Sequence, residues 1–303
     1  DSVVYPGAAP ETGSQATSFY PDAPRPNTVI TKCDLRGSAL GYSGSMGNAV
    51  RITNNHIYGN TTGISSDTLS AAGHPGFPAD SSEIDNNYIY ANNLDLYRDD
   101  APVDSLVPVP IGVGILYPGM NDANVHDNWI FDNWRNGAML FAVPDAFVSG
   151  GGAEGDIFPG ISCPGAPANG ISTSCGNRFH HNVVGRAPNG FRYPDAVGMF
   201  GNAYAHNDAR PKKPNGIDFW WGELFSSNTG NCWFANTGTD GTAASVTGPG
   251  EAGRLPALAM HRVARRLSPS TAASFGNASD PAVCFTSVHT QPSADVRTSS
   301  PRR

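Results

Sequence analysis

The sequence predicts an all-β solenoid of stacked coils, and three observations predict it. One short frame recurs: ITNNHIYGN from Ile52, IDNNYIYAN from Ile84, VHDNWIFDN from Val125, FHHNVVGRA from Phe179, MFGNAYAHN from Met199 and NTGNCWFAN from Asn228. Inside each copy apolar and polar residues alternate with period two, as strands do. Glycine (35) and proline (25) are abundant among the 303 residues and only 15% are charged, which suits a turn-rich β fold better than a helical one.

The fourth residue of each copy is Asn55, Asn87, Asn128, Asn182, Asn202 and Asn231. Two places later stands a bulky residue: Ile57, Ile89, Ile130, Val184, Tyr204 and Trp233. Five places later a second Asn recurs at Asn60, Asn92, Asn133, Asn207 and Asn236, replaced by Ala187 in the fourth copy. A seventh copy, ITKCDLRGS from Ile30, carries Cys33 at the Asn position and Leu35 after it. A unit with a few inward apolar residues cannot bury its own face, but stacked copies cover one another. An Asn at a fixed corner bonds the backbone of its own turn and the Asn of the next coil, and it tolerates the left-handed φ of a sharp turn. The frames resemble the right-handed parallel β-helix of pectate-lyase-like proteins, with their asparagine ladders, over Asn27 to Gly238. The resemblance implies a single-stranded right-handed parallel β-helix across residues 27–240.

Bare coils are expected where Asn positions lie close: 22 residues separate Cys33 from Asn55, and 20 separate Asn182 from Asn202. The longer gaps of 32, 41 and 54 residues place extra chain after the strands expected at Gly63-Ile64, Leu94–Leu96 and Gly137-Ala138. That predicts long loops on one side, commonly a solenoid's binding side. IGVGILYPG from Ile111 is a candidate for an extra, degenerate coil.

Residues 1–26 are rich in Pro, Ser and Gly and read as an extended arm or cap over the first coil, whose strand edges need blunting. Residues 241–303 read as a linker, a short amphipathic helix over Pro256–Leu267 and a tail. Cys163 and Cys175 bracket a Gly/Pro/Ser-rich insertion and predict one disulfide. Cys232 and Cys284 predict a second, pinning the tail to the last coil. Cys33 is expected to be a buried free thiol. Disulfides point to an oxidising compartment, hence a secreted, extracellular protein. The chain opens at Asp1 rather than Met and reads as a mature or trimmed product. Asn60-Thr61-Thr62 and Asn277-Ala278-Ser279 match glycosylation sequons, but Asn60 already has a place in the ladder.

A net charge of −7 without a basic patch argues against a nucleic-acid partner. No apolar run is long enough to span a membrane. The G-x-S-x-G and H-E-x-x-H motifs are absent, as are the paired-Asp and G-H-G pattern of polygalacturonases and the Y-G-x-D-P-H pattern of alginate epimerases.

Aligned frames give columns of side chains on neighbouring coils, about 4.8 Å apart. Two places before the ladder Asn the column reads Thr53, Asp85, His126, His180, Phe200, and by alternation it faces outward. The next reads Asn54, Asn86, Asp127, His181, Gly201. Together they gather Asp85, His126, Asp127, His180 and His181 as a candidate catalytic patch. Histidine beside carboxylate does general acid–base work or binds a divalent metal. A polar solenoid surface with Asp–His hydrogen bonds is the plainer reading. LDLYRDDAPVD supplies a second candidate on an insertion, for which a solvated loop is the plainer reading. Pectate-lyase-like enzymes hold Ca²⁺ with acidic residues and take the α-proton of an acidic sugar with Arg or Lys. Carried over, that resemblance implies Arg98 as base, Asp99, Asp100 and Asp104 as metal ligands, and Ca²⁺ as one candidate cofactor. Tyr58, Tyr90 and Phe131, three places after the ladder Asn, form an outward aromatic row, and Trp220 and Trp221 follow in IDFWWGELF. Such rows bind sugar faces, stack on one another, or lie beneath loops. The function expected is engagement of an extracellular polysaccharide, as a polysaccharide lyase or other carbohydrate-active enzyme. The alternative is a non-catalytic structural or adhesive module with a surface-protein partner.

Overall fold

A computed structural model describes residues 2–4, 15–17, 20–25, 28–44, 50–66, 81–97, 99, 109–141, 174–194, 215–222, 230–247 and 283–285. Strands are numbered in chain order, and each coil adds one strand to each of three sheets. The first sheet holds β4 (Thr28–Thr31), β7 (Val50–Thr53), β10 (Glu83–Asp85), β13 (Asn124–His126), β16 (Arg178–His180), β19 (Asn231–Phe234) and, at one edge, β22 (Val283–Phe285). The second holds β5 (Asp34–Arg36), β8 (His56–Tyr58), β11 (Tyr88–Tyr90), β14 (Trp129–Phe131), β17 (Val183–Gly185) and β20 (Thr237–Gly238). The third holds β1 (Ser2–Val4), β6 (Leu40–Ser43), β9 (Thr62–Ser65), β12 (Val113–Pro118), β15 (Asn136–Phe141), β18 (Ile217–Gly222) and β21 (Val246–Thr247). A separate antiparallel pair joins β2 (Gln15–Thr17) to β3 (Tyr20–Arg25). Pairing within the three sheets is parallel except where β22 lies antiparallel to β19. Three parallel sheets visited in one order by successive coils are the arrangement of a parallel β-helix.

The interior is built from one inward column per sheet position. The first sheet contributes Ile30, Ile52, Ile84, Val125, Phe179 and Trp233, and the second Leu35, Ile57, Ile89, Ile130 and Val184. From the third come Tyr42, Ile64, Ile115, Ala138 and Phe219, all nearly inaccessible. The late coils widen the core with Phe179, Phe219, Trp221 and Trp233, the Phe179 and Trp233 rings stacking at 5.4 Å.

Three files of buried Asn mark the corners. In the first, between the first and second sheets, Asn55, Asn87, Asn128 and Asn182 each donate Nδ2 to Oδ1 of the next, ending on Asn236. Each Nδ2 also donates to a main-chain carbonyl of the coil before, as Asn128 does to Ile84 at 2.8 Å, so these amides meet the polar groups a buried corner would otherwise strand. The second file, between the second and third sheets, runs Asn60, Asn92, Asn133, Asn215. The third, before the first sheet, pairs Asn177 with Asn231. Beside the second file a Cβ on Gly63 would stand 2.5 Å from the Gly114 carbonyl and 2.9 Å from Asn92 Nδ2, so that position admits only glycine.

Several expectations need correction. Asn231 stacks on Asn177, and its expected place is taken by Asn236, which accepts from Asn182. Asn182 meets Asn236 directly, so their coils are neighbours; residue 202 lies outside the described residues. Cys33 is free and exposed, not buried. It belongs to the first coil, whose β4 and β5 are edge strands, so only its N–H is engaged by a ladder Asn, Asn55. IGVGILYPG is no extra coil: it contains β12, the third strand of the coil that begins at β10. Residues 94–96 form no strand. The long insertions do not enter the chain at one corner. Residues 67–80 and 142–173 lie between the third sheet and the next coil, whereas 98–108 and 195–214 lie between the second and third sheets. Pro256–Leu267 and Asn277 lie outside the described residues. Cys175 and Cys232 each take part in a disulfide. Cys232 stands opposite Cys284 across β19 and β22, and residue 163 lies outside the described residues.

Candidate functional site

The first sheet turns two columns outward. One reads Arg51, Glu83, Asn124, Arg178, Cys232 and the other Thr53, Asp85, His126, His180, Phe234. The second matches the expected column through His180 and then continues to Phe234 instead of Phe200. The adjoining corner residues Asn54, Asn86, Asp127 and His181 all have left-handed φ between 54° and 58°. That conformation bends each coil sharply and leaves Asp127 and His181 exposed beside the histidines.

Asp85 departs from the expected open patch, being only 1% exposed. Arg51 donates to it from Nε at 2.9 Å and Nη2 at 3.2 Å, Thr53 Oγ1 at 2.6 Å and Asn86 Nδ2 at 2.8 Å. Burial works to raise its pKa, but these donors win and hold it below the usual carboxylate range.

The two histidine rings stack at 4.9 Å and 2°. His126 points Nε2 at Glu83 and Nδ1 at Asp127, the latter 2.7 Å away. Two nitrogens facing two carboxylates both donate only in the imidazolium. Burial opposes that charge, yet Asp127 and Glu83 outweigh it and raise the pKa. His180 has the opposite environment. Asn124 donates Nδ2 to Glu83 at 3.2 Å, so its Oδ1 is left to accept from His180 Nε2 at 2.9 Å. That fixes the Nε2–H tautomer, and His180 Nδ1 then accepts from His181 Nδ1 at 2.9 Å. Burial, then the neighbouring His126 and His181, push the His180 pKa down. Two imidazoles in contact are thus pushed to opposite proton affinities, the pattern that separates an acid from a base.

Of the readings open for the aromatic row, stacking on one another beneath other residues is the one found. Tyr58, Tyr90 and Phe131 do stack, at 5.0 and 5.1 Å, but are at most 1% exposed. Phe191 and Tyr193 lie edge-on across the Tyr90 and Phe131 rings. Tyr193 donates its hydroxyl to Asp132 at 3.0 Å. Burial raises the pKa of both Tyr90 and Tyr193. Trp221 is a core residue, 0% exposed, while Trp220 lies half-buried against Phe141. The accessible aromatic column is one the sequence reading passed over: His56, Tyr88 and Trp129, directly after the ladder Asn and half-buried. Those rings also lie face to face, so they present edges outward and not the faces a sugar stacks on. Glu83 and Asn124 were missed too; they sit one strand position before the inward column, and the same frame alignment finds them.

Of the second expected cluster, Asp99 is exposed, and Arg98, Asp100 and Asp104 lie outside the described residues. Asn60 is fully buried in its ladder. Among the described residues no helix is long and apolar enough to cross a membrane. No family model matches the chain, and no curated protein or solved structure matches it.

Proposed function

We propose that the protein is a secreted, right-handed β-helix of the pectate-lyase-like kind that acts on an extracellular polysaccharide, with His126 and His180 as its acid–base pair. The observation that carries this reading is the opposed proton affinity of two imidazoles stacked 4.9 Å apart on an outward sheet face. The reaction is β-elimination on an acidic sugar. Neutral His180 takes the proton α to the carboxyl group once His181, which is exposed, turns away from its Nδ1. The electron pair forms the new C=C bond as the glycosidic C–O bond breaks, and the His126 imidazolium returns a proton to the leaving oxygen. The test is incubation with acidic polysaccharides, with and without divalent cations, followed by ultraviolet detection of unsaturated ends. His126→Ala and His180→Ala, folded by circular dichroism, should each lose turnover by about 100-fold or more. Full activity in both variants, or none in the parent protein, overturns the proposal.

A second reading is favoured by the stacked aromatics, whose faces are spent on one another. In it the chain is a non-catalytic structural or adhesive module and the histidine network stiffens the first sheet. Its signature is binding to a polysaccharide or surface protein without turnover.

A further inference from the structure

We propose a site for a divalent transition-metal ion at Glu83, Asp85 and His126. Glu83 and Asp85 stand two apart on β10, on the same outward face, and His126 is the direct neighbour of Asp85 on β13. One donor atom from each lies within 4.8 Å of the other two.

Features outside that trio point to a ligand. Asp127 holds Nδ1 of His126 and so aims Nε2 at Glu83, the outer carboxylate partner typical of a metal-bound imidazole. Asn124 steadies Glu83 in the same way from the next coil. The bonds to Asp85 are uneven: among the described residues Oδ1 accepts from Arg51, Thr53 and Asn86, whereas Oδ2 accepts from Arg51 Nε alone. A carboxylate oxygen has two lone pairs, so Oδ2 keeps one for a cation while Arg51 remains as its outer partner.

The donor set selects the ion. Glu83, Asp85 and Asp127 set three negative charges against the one positive charge of Arg51, which leaves two to balance a divalent ion, and an imidazole nitrogen favours manganese- or zinc-like ions over calcium or magnesium, which take oxygen shells. Binding displaces the Nε2 proton of His126 to solvent and opens the His126–Glu83 contact until the ion stands about 2.0–2.2 Å from each donor. The ion then carries, beside His180, the positive charge that the imidazolium carries without it. The site shares residues with the polysaccharide reading but does not depend on it, because binding is measured without substrate.

The experiment is calorimetric titration of the whole chain with Mn²⁺ and with Zn²⁺ at pH 8, supported by the electron paramagnetic resonance of Mn²⁺. One ion per chain is expected. Glu83→Gln and His126→Gln should each weaken binding at least ten-fold, Asp127→Asn about ten-fold through the outer partner, and His56→Ala not at all. Circular dichroism checks that each variant is folded. Absence of binding at millimolar ion, or binding unchanged in both Glu83→Gln and His126→Gln, overturns the site.

Discussion

The outward faces on either side of the first Asn file are made by the same repeat and have opposite fates. On the second sheet the column Tyr58, Tyr90, Phe131 is dry, roofed by Phe191 and Tyr193. On the first sheet the column Asp85, His126, His180 is polar, knitted by charge-assisted bonds and split in proton affinity. Stacking in register makes both columns. What lies over them, and which donors flank them, makes one a second core and the other a candidate site.

The dry face should be the costlier to disturb. Phe131→Ala removes a fully buried ring from between Tyr90, Phe191 and Tyr193 and should lower unfolding free energy by about 3–5 kcal/mol. Urea denaturation measures it, and a loss below about 1 kcal/mol would mean that the roof can collapse onto the gap. The file between the faces comes next. Asn128→Ala strands the partners of an amide that donates to Ile84, His126 and Asn182 and accepts from Asn87, for an expected loss of about 1–3 kcal/mol. Tyr193→Phe leaves the ring in place and removes its hydroxyl bond to Asp132; about 1 kcal/mol should be lost in the same assay.

The smallest effect is on the polar face and is read by pH. The raised pKa of His126 gives a contribution that is complete below its free value of 6.5 and is lost as pH rises through its folded value. The lowered pKa of His180 acts in reverse, its contribution being present above 6.5 and lost as pH falls through its folded value. Imidazole proton resonances should titrate on opposite sides of 6.5, and His181→Ala should move His180 upward by removing one of the neighbours that lower it. Coincident titrations would erase the distinction on which the acid–base reading stands.

Much of this was legible in the sequence where a residue's role follows from spacing. Asn55, Asn87, Asn128 and Asn182 bond each other because each must meet the corner of the next coil, and the His126–His180 column follows from the same alignment. Spacing failed where it is degenerate. Five residues separate Asn231 from Asn236 just as five separate Asn128 from Asn133, but the last coil uses Asn177 and Asn182 as the partners of its pair. The two-Asn signal therefore fits either of two corners. Alternation likewise shows that Tyr90 leaves the interior, yet nothing local to Tyr90 reveals that Phe191 and Tyr193, a hundred residues along, will cover it. The burial of Asp85 has the same origin, since its partners Arg51 and Thr53 come from the coil before.

The Asn files also have a direction. Each Nδ2 is tied to a main-chain carbonyl of the preceding coil and each Oδ1 to a main-chain N–H there, as Asn87 shows through Ile52 and Asn55, so no amide can be flipped without losing both. All three files therefore point the same way, every amide before the last of its file passing a hydrogen to the oxygen of the following coil. Small dipoles in line add, as peptide dipoles do along a helix. The solenoid thus carries a polarity along its length: its oxygen-rich end lies at the first coil and its hydrogen-rich end at the last, and a coil grafted onto one end must offer the chemical opposite of a coil grafted onto the other.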